Sequence, residues 1–451
     1  MIWVQAFCFS ILYAIWLLPE TILVRHICLI VGALIGAYEI YVYRKLFFNK
    51  RAISVWLIVG LFVWVTFHLF FFSQDYPAQF REYTGIWKRT LIGAIFAVGF
   101  GVSLAGLSGR RQDQYLTLMY VGLTAPALIY LIRYSLSKYT SLWGIQVPEY
   151  WTVCAWLSFC YVPKTAYVCF CVPTFAAALG LMKRNLTKGL ILHASNLVYA
   201  LTFIVVIFIF TAENIKNGIL YCIILFAAFL FLALFDGFKR NWLKNTIIFF
   251  IGIGLVVLIA GNHLARNDSW KTFFSDAKVA IQIDKNQQWK RIDDSPLPTN
   301  DLGQEVSGTN YERMTWAING VILISQNPFG YGLIERSFGS LGRIKWPGSR
   351  LTQSHSGWID LTLGIGIPGV AMIIGALIFA WVKVVRLQGG LETSLGVAIS
   401  WILIALLLIW ITTEISQKVY FDDLIFWVTL VAGFSLVSQK DSLPSLISLE
   451  K

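Results

Sequence analysis

Long apolar runs, separated by short polar segments, dominate the chain from end to end. The hydrocarbon core of a bilayer is about 30 Å thick and needs roughly 20 mostly apolar residues per helix. Twelve runs have about this length: 2–18, 22–43, 52–72, 91–107, 116–134, 166–182, 190–211, 219–235, 246–262, 358–382, 395–411 and 424–438. The pattern predicts an all-α membrane protein with about twelve transmembrane helices.

Basic residues cluster in every second short connection between the predicted helices. They follow predicted helices 2, 4, 6, 8 and 10: Arg44, Lys45, Lys50, Arg51, Arg110, Arg111, Lys183, Arg184, Lys188, Lys239, Arg240, Lys244, Lys383 and Arg386. Connections rich in Lys and Arg face the cytoplasm. Both termini are therefore expected inside, with a mobile cytoplasmic tail at 439–451, and the other connections are expected outside.

One external connection is far longer than the others. Residues 263–357 form a loop with 11 Lys and Arg and 9 Asp and Glu. A structureless loop of that length is uncommon, and long loops usually carry function. The chain is therefore divided into transmembrane helices 1–9 at 1–262, the large loop at 263–357, and helices 10–12 with the tail at 358–451.

The large loop has internal order. Thr309 and Glu312 have the spacing of a capping box, and apolar positions then recur at helical spacing until Asn327-Pro328. This pattern predicts a helix over 311–326. Its apolar face is expected to hold Met314, Ala317, Val321 and Leu323 or Ile324. The Gly-rich turn PFGYGL (328–333) follows that helix.

Composition excludes two other classes of protein. Hydrophobic residues make up 57% of the chain and charged residues 13%, whereas soluble domains carry roughly 25% charged residues. The chain is therefore neither a soluble globular protein nor disordered. The net charge of +12 reflects the Lys and Arg excess that orients membrane helices. No RNA- or DNA-binding module accompanies it, so no nucleic-acid partner is expected.

The seven cysteines lie mostly within apolar runs: Cys8, Cys28, Cys154, Cys160, Cys169, Cys171 and Cys222. The spacing of Cys169 and Cys171 fits neither a zinc site nor a redox pair. We interpret the cysteines as small apolar residues in lipid or in helix contacts. The large loop holds none, so no disulfide is expected there, and the scattered histidines indicate no metal site.

His355 is the most prominent candidate for chemistry. It lies where the large loop meets predicted helix 10, a place that is wet on one side and shielded on the other. An imidazole titrates near neutral pH, which suits a general base. The alternative is a hydrogen-bonded histidine at the membrane interface without a catalytic part.

Arginines in the large loop are the second kind of candidate. Arg313 lies in the first turn of the predicted 311–326 helix, and a planar guanidinium matches phosphate oxygens. The alternative is a salt bridge with Glu312 or another nearby acid. Arg350, in the basic stretch before His355, adds positive charge for a phosphate or for lipid headgroups.

Lys216 is a third cationic candidate. It lies in the short external turn 211–220, at the outer mouth of predicted helices 7 and 8. The alternative is an ordinary solvated lysine. Neither a Walker motif nor a Gly-rich turn between strand and helix is present, so no ATP or nicotinamide cofactor is expected.

The order of these features resembles the O-antigen ligase and polymerase superfamily of bacterial envelopes. The matching residues are Tyr311, Glu312, Arg313 and Trp316, the NPFGYG run at 327–332, the run Ser354-His355-Ser356-Gly357, and then Gly364, Gly366, Pro368 and Gly369. The family pattern is an arginine about three residues before a tryptophan, a P-x-G-x-G turn, and a His-Ser or His-Asn pair leading into a GIxG helix. Together they make a fairly specific match over roughly residues 190–440.

The resemblance implies an inverting, metal-independent glycan transfer from an undecaprenyl-diphosphate-linked donor. It implies an active site at the periplasmic face of the bacterial inner membrane, in a fold similar to the C-type membrane glycosyltransferases. It further implies that His355 deprotonates or positions the acceptor hydroxyl and that Arg313 binds the leaving diphosphate. Lys216 occupies a turn in which the family has an arginine, so this position departs from the pattern.

Several functions remain open within this resemblance. It favours an O-antigen ligase, whose acceptor is lipid A–core. An O-antigen polymerase, whose acceptor is another lipid-linked glycan, and a protein O-oligosaccharide ligase use the same donor class. A multi-pass lipid or polysaccharide transporter is the alternative of a different class. Transporters are expected to line a path with ionisable residues inside several helices, whereas here such residues gather at helix ends and in one outer loop.

Overall fold

The computed structural model describes residues 1–107, 109–144, 146–237, 242–291, 296–387, 393–415 and 418–437. Within these ranges every regular element is a helix, apart from one isolated β-bridge between Thr299 and Glu305. The predicted all-α fold is confirmed. The predicted tail at 439–451 and the basic pair Lys239-Arg240 lie outside the described residues.

Sixteen α-helices form the described structure. They are α1 (Ile2–Ile15), α2 (Ile22–Val42), α3 (Ile53–Phe71), α4 (Tyr76–Glu82), α5 (Lys88–Ala105), α6 (Gly109–Trp143), α7 (Lys164–Thr187), α8 (Ala194–Ala212), α9 (Lys216–Gly237), α10 (Trp242–Arg266), α11 (Phe273–Ile281), α12 (Gly308–Gln326), α13 (Ser337–Lys345), α14 (Gly357–Leu387), α15 (Ser394–Thr412) and α16 (Lys418–Phe434). Each of the twelve predicted apolar runs coincides with one of them. The others, α4, α11, α12 and α13, lie in segments predicted to be external.

Ten helices of the described chain are long and apolar enough to cross a membrane. This finding confirms a multi-pass membrane protein. The two remaining predicted spans, α1 and α16, have only 14 and 17 residues. At 1.5 Å per residue they measure roughly 21 and 26 Å, short of the roughly 30 Å hydrocarbon core.

Of the two short helices, α16 lies inside the bundle and α1 packs one face against it. Every residue of α16 from Tyr420 to Phe434 is buried. The rings of Phe9 and Tyr13 in α1 pack against Trp427 of α16, with centroids 5.7 and 6.2 Å apart. The opposite face of α1 is exposed, with Trp3 at 55% and Phe7 at 58%. Because neighbouring helices surround α16, this helix does not need the length of an independent span.

The large loop folds into a small layer on one end of the bundle. It begins where α10 ends, at Arg266, and carries α11, α12 and α13 before α14 begins. Buried residues from these helices and from the chain between them share one core: Tyr311, Leu323, Phe338, Leu341 and Leu351. The division of the chain at 262 and 357 stays a prediction.

Helix α12 differs from its predicted form in its start and its buried face. It begins at Gly308 after Ser307, and no side chain caps it, so the predicted capping box at Thr309 and Glu312 is wrong. The buried positions are Tyr311, Thr315, Asn319, Gly320 and Leu323, whereas Val321 is 59% exposed. Thr315 tolerates burial because its hydroxyl bonds to the Tyr311 carbonyl at 2.7 Å.

The PFGYGL turn is paired with a break in α14. Gly366 has φ +74° and interrupts the helix, and Pro368 has no N–H to give to the Gly364 carbonyl. The Gly332 N–H bonds to that carbonyl instead, at 2.8 Å. A Cβ at Gly330 would lie 2.5 Å from the Gly366 nitrogen, so only glycine permits this approach of the two backbones.

The N-terminal helices hold the same turn from the other side. The indole of Trp64 donates to the Ile365 carbonyl at 2.7 Å, which satisfies another group freed by the break. Gln79 bonds to His68 at 3.0 Å, and His68 in turn faces the Gly330 carbonyl at 3.4 Å. Glu82 at the end of α4 accepts the backbone N–H of Ile334 at 2.6 Å.

Two cysteines are paired, which corrects the interpretation of all seven as apolar packing residues. Cys154 and Cys160 form a disulfide in the segment between α6 and α7. Both cysteines lie outside the predicted apolar runs, which stop at 134 and resume at 166, so packing within an apolar run does not describe them. The other five cysteines are free and buried.

Candidate functional site

His355 lies on a tight turn immediately before α14. Its φ is +57°, a left-handed conformation that is uncommon for a residue other than glycine and is often found at functional sites. The Ser354 N–H donates to Asp360 Oδ1 at 2.9 Å, and the Gly357 N–H donates to the Thr413 carbonyl at 2.8 Å. These bonds fix the turn on both sides of the histidine.

His355 and Glu414 form a hydrogen-bonded pair. Nδ1 of the imidazole lies 3.0 Å from Oε2 of the carboxylate, and the side chains are 29% and 14% exposed. A carboxylate at Nδ1 makes that nitrogen the donor and leaves the lone pair on Nε2. Among the described residues Nε2 has no protein partner, so it can accept a proton from a bound molecule.

An indole covers one face of the imidazole. The rings of Trp316 and His355 are stacked, with centroids 5.2 Å apart and planes 17° apart. Trp316 is itself anchored, since its Nε1–H donates to the Trp289 carbonyl at 3.0 Å. The stack and the bond to Glu414 together hold the imidazole in one orientation.

Glu414 stays ionised despite its burial. Burial by itself raises the pKa of a carboxyl group, but the hydrogen bond from His355 and the positive charge of Arg313 outweigh this effect. The pKa of Glu414 is therefore lowered. A charged carboxylate stabilises the imidazolium that forms when His355 takes a proton.

The sequence reading missed Glu414. The residue lies in the short segment 413–415 after α15, which is held by a bond from Gln353 Nε2 to the Ile415 carbonyl at 3.0 Å. One feature of the sequence could have indicated Glu414: it is an acidic residue directly after a predicted membrane helix, on the side predicted to be external. Contact with His355 was not predictable, because 59 residues separate the two along the chain.

Arg313 lies on α12, one turn before Trp316, and is half-buried. Its charge acts on Glu414 and on Lys216. Among the described residues no carboxylate forms an ion pair with it, so the salt bridge with Glu312 that the sequence left open is not made. The guanidinium is therefore available to a phosphate.

Lys216 begins α9 and joins the same cluster. Its Nζ donates to Ser269 Oγ at 2.8 Å, and Asn310 of α12 binds the Ser269 carbonyl at 2.6 Å. The next residue, Asn217, donates to Thr413 Oγ1 at 3.2 Å. The turn before α9, the large loop and the segment after α15 therefore meet at one end of the bundle.

Arg350 is placed differently from the other candidates. It is exposed, and its backbone N–H bonds to the Lys290 carbonyl at 2.9 Å. It lies five residues before His355 on the same loop. Its part in donor binding stays a prediction.

The described residues offer no convincing metal site. The only cluster of metal-ligating side chains in the described part of the chain consists of Glu149, Cys154 and Cys160. Its two cysteines form the disulfide. Metal ions bind cysteine as the thiolate, which a disulfide does not offer. The cluster of His355, Glu414, Arg313 and Lys216 is suited instead to acid–base chemistry beside an anion.

Comparison with known families identifies the part of the chain that holds this cluster. Residues 201–374 match the family model described as O-antigen ligase. The protein contains an O-antigen ligase domain. The resemblance to the O-antigen ligase superfamily is thereby confirmed, and no curated protein matches the chain.

The O-antigen ligase domain contains Lys216, Arg313, Trp316 and His355, but it ends before Glu414. Its family is a glycosyltransferase-like group of ligases and polymerases, so at this level the protein is an enzyme. The match is narrower than the predicted resemblance over 190–440. The helices before it contribute contacts to the PFGYGL turn, which lies within it.

Proposed function

We propose that this enzyme is an O-antigen ligase that moves a glycan from an undecaprenyl-diphosphate carrier to lipid A–core. The observation that carries the proposal is the ordered His355–Glu414 pair beside Arg313 and Lys216. Three of these residues, His355, Arg313 and Lys216, lie within the O-antigen ligase domain. A base and an anion site at one rim of a membrane bundle suit a lipid diphosphate donor, whose reacting atoms lie at headgroup level.

The chemical step follows from the placement of these groups. Nε2 of His355 takes the proton of an acceptor hydroxyl, whose oxygen attacks the anomeric carbon of the donor sugar. The bond from that carbon to the diphosphate oxygen breaks, and the electron pair leaves with the diphosphate. Attack opposite the leaving group inverts the anomeric centre. The proton remains on the imidazolium, which Glu414 stabilises.

The two cations act on the leaving group. Negative charge grows on the diphosphate as the glycosidic bond breaks, and fixed positive charges nearby lower the barrier. Arg313 offers the bidentate fork that fits phosphate oxygens, and Lys216 offers a point charge. The donor is already activated by its diphosphate, so the proposed step needs neither nucleotide hydrolysis nor a metal.

The proposal assigns this face of the bundle to the periplasm of a bacterial inner membrane. Two observations support that orientation. The Cys154–Cys160 disulfide lies in an external connection, and disulfides persist in oxidising compartments such as the periplasm. The connections rich in Lys and Arg lie at the opposite ends of the helices, as expected for the cytoplasm.

Gene deletion with complementation tests the function. Loss of all capped lipopolysaccharide with accumulation of lipid-linked polymer supports a ligase. Core carrying a single repeat indicates a polymerase instead, and normal lipopolysaccharide with unglycosylated pilin indicates a protein ligase. Normal surface glycans of every kind would contradict the glycan-transfer proposal and favour a transporter of another cargo.

His355→Ala tests the assigned base in the same strain. The variant should reach the membrane at wild-type level but fail to restore capped lipopolysaccharide, because no other group in the cluster replaces Nε2. His26→Ala is the matched control, since His26 is exposed on α2. Full complementation by His355→Ala would remove the general-base role.

A further inference from the structure

A fully buried carboxylate lies in the large loop, and the proposed transfer step does not use it. Asp276 of α11 has no exposed surface. A buried carboxylate needs hydrogen-bond donors in place of water, and Asp276 has four of them. Its Oδ1 accepts the amide of Asn300 at 2.9 Å, and its Oδ2 accepts the hydroxyl of Thr272 at 2.7 Å. The other two donors come from the start of α12.

Asp276 holds the N-terminal end of α12. The Ser307 N–H, directly before the helix, donates to Oδ2 of Asp276 at 3.2 Å, and the Asn310 amide in the first turn donates to the same oxygen at 2.9 Å. A carboxylate at a helix N-terminus satisfies N–H groups that lack partners within the helix, and it complements the helix dipole. This end of α12 carries Arg313, three residues after Asn310. The position of Arg313 therefore depends on Asp276.

The same network reaches Lys216. The Asn310 amide also donates to the Ser269 carbonyl at 2.6 Å, so its two N–H bonds serve two different partners. The Ser269 hydroxyl in turn accepts from Lys216 Nζ at 2.8 Å. A chain of hydrogen bonds thus runs from Asp276 through Asn310 and Ser269 to the ammonium group. It joins α11, α12, the segment after α10 and the start of α9.

The two cations of the proposed diphosphate site share this anchor. Arg313 lies on the helix that Asp276 holds, and Lys216 bonds to the segment that Asn310 holds. The positive charge of Arg313 acts on that of Lys216. Because like charges repel, other contacts must hold the two cations at a fixed separation. Stabilisation of a leaving group is strongest when the charges that face it are fixed in advance.

We propose that Asp276 is the positioning residue of the diphosphate site and sets the separation of Arg313 and Lys216 before the donor binds. The inference rests on the proposed function, whose donor carries the diphosphate. Asp276 does not touch the substrate and acts through Asn310 and Ser269. Its loss should weaken recognition of the diphosphate most, because His355 has its own contacts with Glu414 and Trp316.

Transfer kinetics of the full chain in detergent test this role. Two constants are measured: KM for the lipid-linked glycan donor, and the inhibition constant of undecaprenyl diphosphate, the product that keeps the diphosphate without the glycan. Asp276→Asn keeps the size of the side chain but loses the charge and one acceptor oxygen, and both constants should rise about fivefold or more. A loss of folded protein would lower the maximal rate without changing either constant.

Two further variants separate positioning from folding. Asn310→Ala leaves Asp276 in place but removes the bond to Ser269. Both constants should rise in this variant too, so it decides the matter if Asp276→Asn lowers the folded yield. Asp301→Asn is the matched control, because Asp301 is an exposed carboxylate of the same loop that pairs with Lys278 at 2.8 Å. It should keep the wild-type value of both constants.

The outcomes distinguish the positioning role from the function itself. Glycan transfer with wild-type constants in both Asp276→Asn and Asn310→Ala overturns the positioning role and leaves the proposed function standing. An equal rise of both constants in Asp301→Asn also overturns it, because any carboxylate of the loop would then have the same effect. If the gene-deletion test shows no glycan transfer, the proposed function fails, and the positioning role fails with it.

Discussion

At the scale of single residues, the proposed chemistry depends on the contact between Nδ1 of His355 and Oε2 of Glu414, 3.0 Å apart. A lone imidazole on a loop samples several orientations and both tautomers. Here the carboxylate fixes the tautomer, Trp316 fixes the ring plane, and the left-handed turn fixes the backbone. A general base held in this way has lost orientational freedom before the substrate arrives.

Glu414→Gln should lower kcat by about 100-fold or more, because the imidazolium loses its anionic partner. The pKa of Glu414 is lowered below its ordinary value of 4.5, so the wild-type carboxylate stays charged at neutral pH and loses its charge only as pH falls through that lowered pKa. The loss should therefore be seen at neutral pH, where the wild-type carboxylate is charged.

The control is Glu305→Gln, at an exposed carboxylate of the large loop, whose kcat should match that of the wild type. An unchanged kcat in Glu414→Gln would show that the carboxylate does not act through His355. Initial rates of glycan transfer at saturating donor measure kcat.

Arg313→Lys should keep the charge but lose the bidentate fork, and we expect transfer to fall at least tenfold. Arg343→Lys, in the same loop but exposed, should have no effect. Transfer rates at saturating donor separate the variants. A silent Arg313→Lys would mean that any cation suffices at this position, or that the guanidinium does not touch the leaving diphosphate.

At the scale of elements, the motifs shared with the family act as a joint between the large loop and α14. The break at Gly366 leaves the carbonyls of Leu363 and Gly364 without their helical hydrogen-bond donors. The N–H groups of Tyr331 and Gly332 donate to these carbonyls instead, at 2.7 and 2.8 Å. Each element thus supplies the backbone partners that the other lacks. Since His355 lies directly before α14, these hydrogen bonds determine the position of the proposed general base relative to α12.

Gly330→Ala should disrupt that joint. The added Cβ would lie 2.5 Å from the Gly366 nitrogen, at a residue with φ +86°, and we expect destabilisation of about 2 kcal/mol or more. The thermal unfolding temperature of the detergent-solubilised protein should fall. Gly261→Ala, where nothing lies within 4 Å, should leave it unchanged. Equal unfolding temperatures for the two variants would contradict the close approach.

The sequence predicted elements better than contacts. Apolar runs gave the ten helices that are long enough to cross a membrane and the two shorter helices α1 and α16, since lipid demands long apolar segments, and helical spacing gave α12. Its buried face was predicted only in part. Leu323 is buried as predicted, but Thr315 and Asn319 are also buried with their polar groups bonded locally, which hydropathy does not report. His355, Arg313 and Lys216 were found by residue type and place, whereas Glu414 depends on a long-range contact.

At the scale of the whole molecule, the bundle separates two chemical environments. One end carries the basic connections, and the other carries the disulfide, the large loop and the His355 cluster. The five free cysteines are buried, which leaves Cys154 and Cys160 as the pair that reports the redox state of its compartment.

Alkylation of denatured protein should count five thiols before reduction and seven after it, as measured by intact mass. Expression in cells that lack periplasmic thiol oxidation should give seven without reductant, because a periplasmic pair then stays reduced. Seven thiols in protein from normal cells would place this connection in the cytoplasm and reverse the proposed orientation.

The bond from Trp64 to the Ile365 carbonyl joins α3 to the broken helix across 301 positions of the chain. Trp64, His68 and Glu82 all precede residues 201–374, the segment that matches the family. His68 faces a carbonyl of the PFGYGL turn, and Glu82 accepts the N–H of Ile334 directly after that turn. A chimera that exchanges only residues 201–374 between two ligases would place this turn against the α3 and α4 of a different protein. An exchange meant to change the acceptor should therefore include α3 and α4 as well.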